Sequence, residues 1–286
     1  MSAGSNIWRV FWAAVCVSFP LSVAHADTNP PAPAVSTAPQ PSDAERFFTQ
    51  YGKAVQLVRQ NGHQEASIIM DLLWRNLTSS PWLEIALLKH AELNEISNPQ
   101  VALQDYDLLR KRIENAPYFQ GTAERAAVFR AGLLGAVMRG TNRIRILRIR
   151  EALDRYRARY RQYPESLVKL SIFNYIDMGD IYTSGGRLFR YTPTGQQFTP
   201  TISYQRFDLE SLPPEPFYVT SPKIDGTNRL DEKTNKYAAI IVVPDRIDFQ
   251  SVVEGQTLGG YFVAAVDRGG AIVCTAERVL ALLAPQ

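Results

Sequence analysis

Cysteine and histidine, the side chains most often recruited for metal binding and nucleophilic work, are scarce: two cysteines and three histidines in 286 residues. Cys16 sits inside an apolar N-terminal run, which leaves Cys274 as the one cysteine beyond it and no partner for an internal disulfide. Cys274 follows an apolar strand-like run, so we read it as an inert core thiol. His63 follows Gly62 in a turn and His90 falls in the middle of a helical pattern; neither has a second ligand at metal-binding spacing. There is no G-x-S-x-G elbow to complete a Ser-His-Asp arrangement, no phosphate-cradling G-x-x-x-x-G-K-[ST] frame and no dinucleotide fingerprint. Ser184-Gly185-Gly186 reads as a hairpin turn. These absences turn the reading away from the common catalytic classes.

What is present begins with an address. Arg9, the apolar run Val10–Val23 and the small-x-small triplet Ala24-His25-Ala26 read as a secretory signal peptide over residues 1–26. The run is short for a membrane span, which needs about 20 residues. Residues 27–42, DTNPPAPAVSTAPQPS, read as a proline-rich linker, too poor in large apolar side chains to offset the entropy of ordering. A capping box, Ser42-Asp43-Ala44-Glu45, then opens a helical region expected over 43–140.

Within that region the chain repeats itself with an offset of 36. EASIIMDLLWRNLTSSPW (65–82) aligns with VALQDYDLLRKRIENAPY (101–118): Ala66 on Ala102, Asp71 on Asp107, Leu72-Leu73 on Leu108-Leu109, Arg75 on Lys111, Leu77 on Ile113, Pro81 on Pro117. Upstream, Tyr51 falls on Leu87, Leu57 on Leu93 and Gly62 on Asn98. A period in the mid-thirties with two apolar helices per unit marks a helix-turn-helix solenoid. The pattern resembles the tetratricopeptide repeat, which implies a protein-binding concave face. Two repeats need a cover, and residues 121–140, interrupted by Arg130, are expected to supply it as a buried core helix that stops at Gly140-Thr141-Asn142.

The basic charge is concentrated in the middle third. Residues 124–190 carry 14 Lys and Arg against 6 Asp and Glu, whereas the flanking regions 43–114 and 191–286 are slightly acidic. Eight arginines lie between Arg143 and Arg161, yet Ile146, Ile149, Leu153, Tyr156, Tyr160 and Tyr163 form one helical seam among them. We read a structural spine, with Arg143, Arg150 and Arg157, seven apart, on a solvated face that is the candidate partner-binding stripe. An acidic protein or an anionic membrane surface would suit it; no groove-reading or base-stacking motif points to nucleic acid.

After Tyr163-Pro164, a short helix is expected from PESLVKL, then β-structure. ALDRYRARYRQYPESLVKL (152–170), RLFRYTPTGQQF (187–198) and FYVTSPKIDGTNRLDE (217–232) resemble the helix-to-headpiece junction, first hairpin and acidic loop of type II secretion pseudopilins. That resemblance implies a small β-sheet headpiece and calcium bound by an acidic loop, with Asp225, Asn228 and Asp231 as the oxygen ligands. NKYAAIIVVPD (235–245) reads as a buried strand, GGYFVAAVDRGGAIVCT (259–275) as a hairpin and TAERVLALLAPQ (275–286) as a closing helix capped by Thr275.

The expected fold class is therefore α+β: an N-terminal all-helical repeat, a long connecting helix and a C-terminal small antiparallel β-sheet unit, with 141–286 forming the long helix and the headpiece-like domain. The expected function is non-enzymatic: an exported, periplasmic or extracellular scaffold or accessory factor of a secretion or surface-assembly system. The alternatives are an envelope hydrolase with its site in the β region and a membrane-surface adaptor using the arginine helix.

Overall fold

The capping box expected at Ser42 forms in full: Glu45 N donates to Ser42 Oγ, and Ser42 N donates back to Glu45 Oε2. The computed structural model describes residues 40–115, 123–198, 201–231, 233–243 and 249–285. The signal segment, the linker as far as residue 39, and Pro117 lie outside the described residues.

Four helices follow in sequence, α1 (Asp43–Arg59), α2 (His63–Asn76), α3 (Trp82–Ser97) and α4 (Pro99–Asn115), each packed on the next. They make two hairpins whose equivalent positions, 36 apart, have equivalent surroundings. Ala66 and Ala102 are both fully buried, Leu73 and Leu109 both face the core, and Leu72 and Leu108 are both exposed. Even the surface pairs repeat: Arg75 bridges Asp71 and Lys111 bridges Asp107, each four residues apart. Gly62 caps the start of α2, and Asn98 stands between α3 and α4.

α5 (Ala123–Tyr160) is a single helix of 38 residues, about 57 Å long at 1.5 Å per residue. It does not stop at Gly140-Thr141-Asn142, as the sequence suggested. Gly140 is needed for close approach instead: a Cβ there would lie 2.2 Å from Tyr106 Cζ on α4. The glycine admits a buried aromatic ring against the helix backbone, and the i→i−4 ladder continues past it.

The rest of the chain is β-rich. α6 (Leu167–Ile172) and a 3-10 turn (Met178–Ile181) lead into the hairpin β1 (Tyr191–Phe198) and β2 (Thr201–Leu209). β3 (Lys223–Asp231), β4 (Lys236–Val242) and β5 (Gln250–Val253) form one antiparallel sheet; β6 (Thr257–Leu258), β7 (Tyr261–Asp267), β8 (Gly270–Cys274) and β9 (Val279–Leu283) form another. The closing helix expected at 275–286 is instead the edge strand β9. Its VLALL run pairs with β8, and its side chains alternate: Val279 and Ala281 join the helix-facing core, Leu280 and Leu282 the core between the sheets. Pairing with a neighbour strand and burial on both faces override the helix propensity of a Leu/Ala-rich segment.

The β6–β9 sheet is thus the middle layer, with helices on one face and the β3–β5 sheet on the other. A register shift between Val263 and Ala265 lets Ala264 and Ala265 both face the helices, whereas Val263 and Val266 face the other sheet. A third core lies around the second half of α5, where Ile146, Ile149, Leu153, Tyr156 and Tyr163 are buried against α6, Ile181, Phe189 and Leu209, with Tyr160 half-buried at its edge. Among the described residues no helix is long and apolar enough to cross a membrane.

Candidate interaction site

An open concave surface runs along α1, where the helix faces the end of β9 and the β7–β8 turn. Phe48 lies so close to that turn that a Cβ on Gly269 would sit 2.6 Å from Phe48 Cβ. This contact closes one side and leaves an open groove of about 1120 Å³ beside it. Its apolar lining includes Phe48, Val55, Ile224 and Leu283; its exposed cations are Lys53, Arg59 and Arg268, and Glu45 is its acid. Arg46 also lines it but bridges Asp43 at 2.8 Å. Arg59 lies over the Tyr218 ring, 5.0 Å from its centroid. An apolar floor with a polar, mainly basic rim is a surface for contact. No nucleophile–base pair faces it among the described residues.

Behind α1 the structure holds a second concentration of polar groups, most of them buried. α3 is buried around most of its circumference, so its polar side chains have nowhere to go but inward. Glu84 accepts from Arg112 at 3.0 Å and from Ser80 Oγ at 2.8 Å. His90 Nδ1 lies 2.7 Å from Asp105 Oδ2, and Lys89 Nζ donates to Glu92 at 2.7 Å. Glu95 takes Arg143 Nε at 2.7 Å, Arg143 Nη2 at 2.5 Å and the Tyr106 hydroxyl at 2.5 Å. Burial pushes the Glu92 carboxyl above its ordinary value despite Lys89. Burial likewise acts to raise Glu215, but Arg139, Arg278 and Arg143 more than offset it and hold its carboxyl low.

Glu215 belongs to the irregular segment between β2 and β3, which crosses the helices. Tyr51 on α1 donates its hydroxyl to Phe217 O at 3.0 Å, and Lys89 lies over the Phe217 ring. This cluster joins α1, α3, α4, α5 and the crossing segment, an arrangement that fixes elements to one another. Asp105 orients His90, but no hydroxyl or thiol is hydrogen-bonded to that imidazole among the described residues. A catalytic triad is therefore not assembled there.

The sequence-derived candidates fall as follows. Asp225, Asn228 and Asp231 do not share a loop. They are spread along β3, paired with β4, and six residues of strand separate the outer two by about 20 Å. Asp231 accepts from Lys233 N and Thr234 Oγ1 to close the β3–β4 turn. No group of three or more acidic, histidine or cysteine side chains suited to a metal occurs among the described residues. Arg150 and Arg157 are exposed as expected, but Arg143 is only 6% exposed and is held by Glu95. The three share one angular position on α5. Each step of seven residues moves about 10 Å along the axis, and only Arg143 lies where α3 packs.

His63 is exposed at the start of α2. Cys274 is buried at one wall of a smaller hollow of about 570 Å³ bounded by Gly255–Thr257 and Thr275; burial pushes its thiol far up, and it stays protonated. Ser184-Gly185-Gly186 is the turn of a small hairpin, closed by the Tyr182–Leu188 bridge, with Gly186 at φ +80°. Sequence reasoning missed Glu95, Glu215 and the His90–Asp105 pair, since their partners lie 11 to 76 positions away. One signal could have found Glu95 and His90, though not Glu215: α3 carries Glu84, Lys89, His90, Asn94 and Glu95 on a helix with no polar face. No family model matches the chain, and neither a curated protein nor a solved structure does.

Proposed function

We propose that this chain is a non-enzymatic exported protein, a scaffold or accessory factor of a secretion or surface-assembly system, that holds an extended segment of a protein partner in the α1 groove. The groove carries the reading. It is long, open, apolar at its floor and polar at its rim, as polypeptide-binding clefts are. The 36-residue helix-hairpin repeat, resembling tetratricopeptide units, supports a protein-binding role. The inner side of the hairpins is occupied by α5, the crossing segment and the β6–β9 sheet, so the binding surface lies at the open edge between α1 and the β7–β8 turn. The signal-like segment at residues 1–26 supports export.

A photocrosslinking residue at Lys53 or Gln56 tests the reading, with Ile68, 61% exposed on α2, as the control position. Crosslinks to one identified envelope protein from the groove positions and not from Ile68 are expected. Equal labelling from all three would overturn it. A second reading, an adaptor at an anionic membrane surface, is favoured by one observation: Ile172 and Phe173 are exposed, Phe173 packs on Tyr160, Arg159 lies over the Tyr160 ring and Arg155 donates to Tyr175 O. Flotation with anionic vesicles separates the two.

A further inference from the structure

Two glycines on α5 bring the loop between β8 and β9 against it. A Cβ on Gly132 would lie 3.2 Å from Thr275 O, and one on Gly135 would lie 2.8 Å from Glu277 O. The backbone of 275–278 can therefore sit directly on the helix, which sets Arg278 beside Arg139 and Arg143. The three guanidinium groups converge around one carboxylate. Arg139 Nε is 2.7 Å from Glu215 Oε1, Arg278 Nε is 2.8 Å from Glu215 Oε2, and Arg143 Nη1 is 3.7 Å from Glu215 Oε1. Arg143 directs its other two nitrogens, Nε and Nη2, at Glu95.

Two imbalances follow. Three cations face two anions, Glu95 and Glu215, since Lys89 and Glu92 pair with each other. One positive charge is left over. Further, Arg139 Nη2, Arg143 Nη1 and Arg278 Nη2 are buried and donate to nothing among the described residues. Buried N–H groups without acceptors are rare in folded proteins, and charged ones cost most. The two imbalances call for the same remedy: an anion with several acceptor oxygens. Guanidinium forks match oxyanion geometry better than any other side chain. Arg139 and Arg278 are 26% and 30% exposed, so the cluster is reachable from solvent at that end.

We propose that Arg139, Arg143 and Arg278, beside Glu215, form a binding site for one small oxyanion of the phosphate, sulfate or carboxylate class. Bound there, the anion completes the junction between α5, the 275–278 loop and the crossing segment, and so stabilises the whole body of the protein. The site is separate from the α1 groove and does not depend on the function proposed for it.

The test is a thermal melt of the full chain in inorganic phosphate, sulfate or acetate against chloride, at matched ionic strength. Kosmotropic anions also raise Tm by exclusion from the surface, without saturating; site binding saturates. The expected result is a saturating rise in Tm with at least one oxyanion, lost in Arg278→Gln and kept in Arg190→Gln, whose side chain is 84% exposed. A rise that never saturates, or one that survives Arg278→Gln, overturns the proposal. Should Arg278→Gln fail to fold, the wild-type Nε–Hε resonances of Arg139 and Arg278 decide: saturable shifts with the oxyanion support the site, and unmoved resonances refute it.

Discussion

Arg143, Arg150 and Arg157 share one stripe of α5, and replacing each alone by glutamine separates burial from charge. Arg150 and Arg157 are exposed, so each substitution should change stability by no more than about 0.5 kcal/mol. Arg143 is 6% exposed, and its guanidinium is bidentate on Glu95. At an effective dielectric near 20, two unit charges centred about 4 Å apart attract by roughly 4 kcal/mol. Removing the arginine leaves Glu95 buried with only the Tyr106 hydroxyl as a charge-stabilising partner, and breaking such pairs costs about 3–5 kcal/mol. For a body of this size, 1 kcal/mol corresponds to about 2–4 °C, so Arg143→Gln should lower Tm by roughly 6–20 °C. Replacing the pair together, Glu95→Gln with Arg143→Met, should recover most of the loss, because no charge is then left unpaired. Urea and thermal unfolding followed by circular dichroism measure the four variants against wild type. Three single variants that unfold alike would refute the argument, as would a double variant no more stable than Arg143→Gln.

Three further outcomes are expected. Ala66→Leu and Ala102→Leu, at equivalent buried contacts of the two hairpins, should each cost about 1–3 kcal/mol by overpacking; unchanged urea midpoints for both would dissolve the structural equivalence of the repeats. Gly140→Ala should destabilise, although alanine favours helix by about 1 kcal/mol, because its Cβ would meet Tyr106 at 2.2 Å; a more stable variant in the same assay would show that the ring moves freely. Burial acts to raise the Asp43 carboxyl, but hydrogen bonds from Ser79 and Thr78 more than offset it and hold it low. A lowered carboxylate contributes stability above its unfolded pKa that is lost as pH falls through its folded value. Asp43→Asn should therefore be less stable than wild type at pH 7, with the gap narrowing as the pH drops below about 4; a gap independent of pH would contradict this.

Local pattern alone determined much of this protein. The capping box at Ser42, the paired hairpins with Ala66 and Ala102 at their contacts, the seam from Ile146 to Tyr163 and the β7–β8 turn at Asp267–Gly270 all rest on neighbours within a few residues or on a fixed period. Such signals are present in the chain before it folds. Tertiary structure decided the rest. Gly140 reads locally as a helix breaker, and only the ring of Tyr106, 34 positions away, makes it a contact surface inside a continuous helix. VLALL could as well be a helix, and β8 makes it a strand. Asp225, Asn228 and Asp231 read as a chelating loop until pairing with β4 stretches them apart. Arg143 is indistinguishable from Arg150 and Arg157 by spacing, and it is buried because Glu95, 48 positions away, lies opposite. A side chain's direction follows from its helix or strand period, but its burial depends on which distant element packs there, and no local period records that.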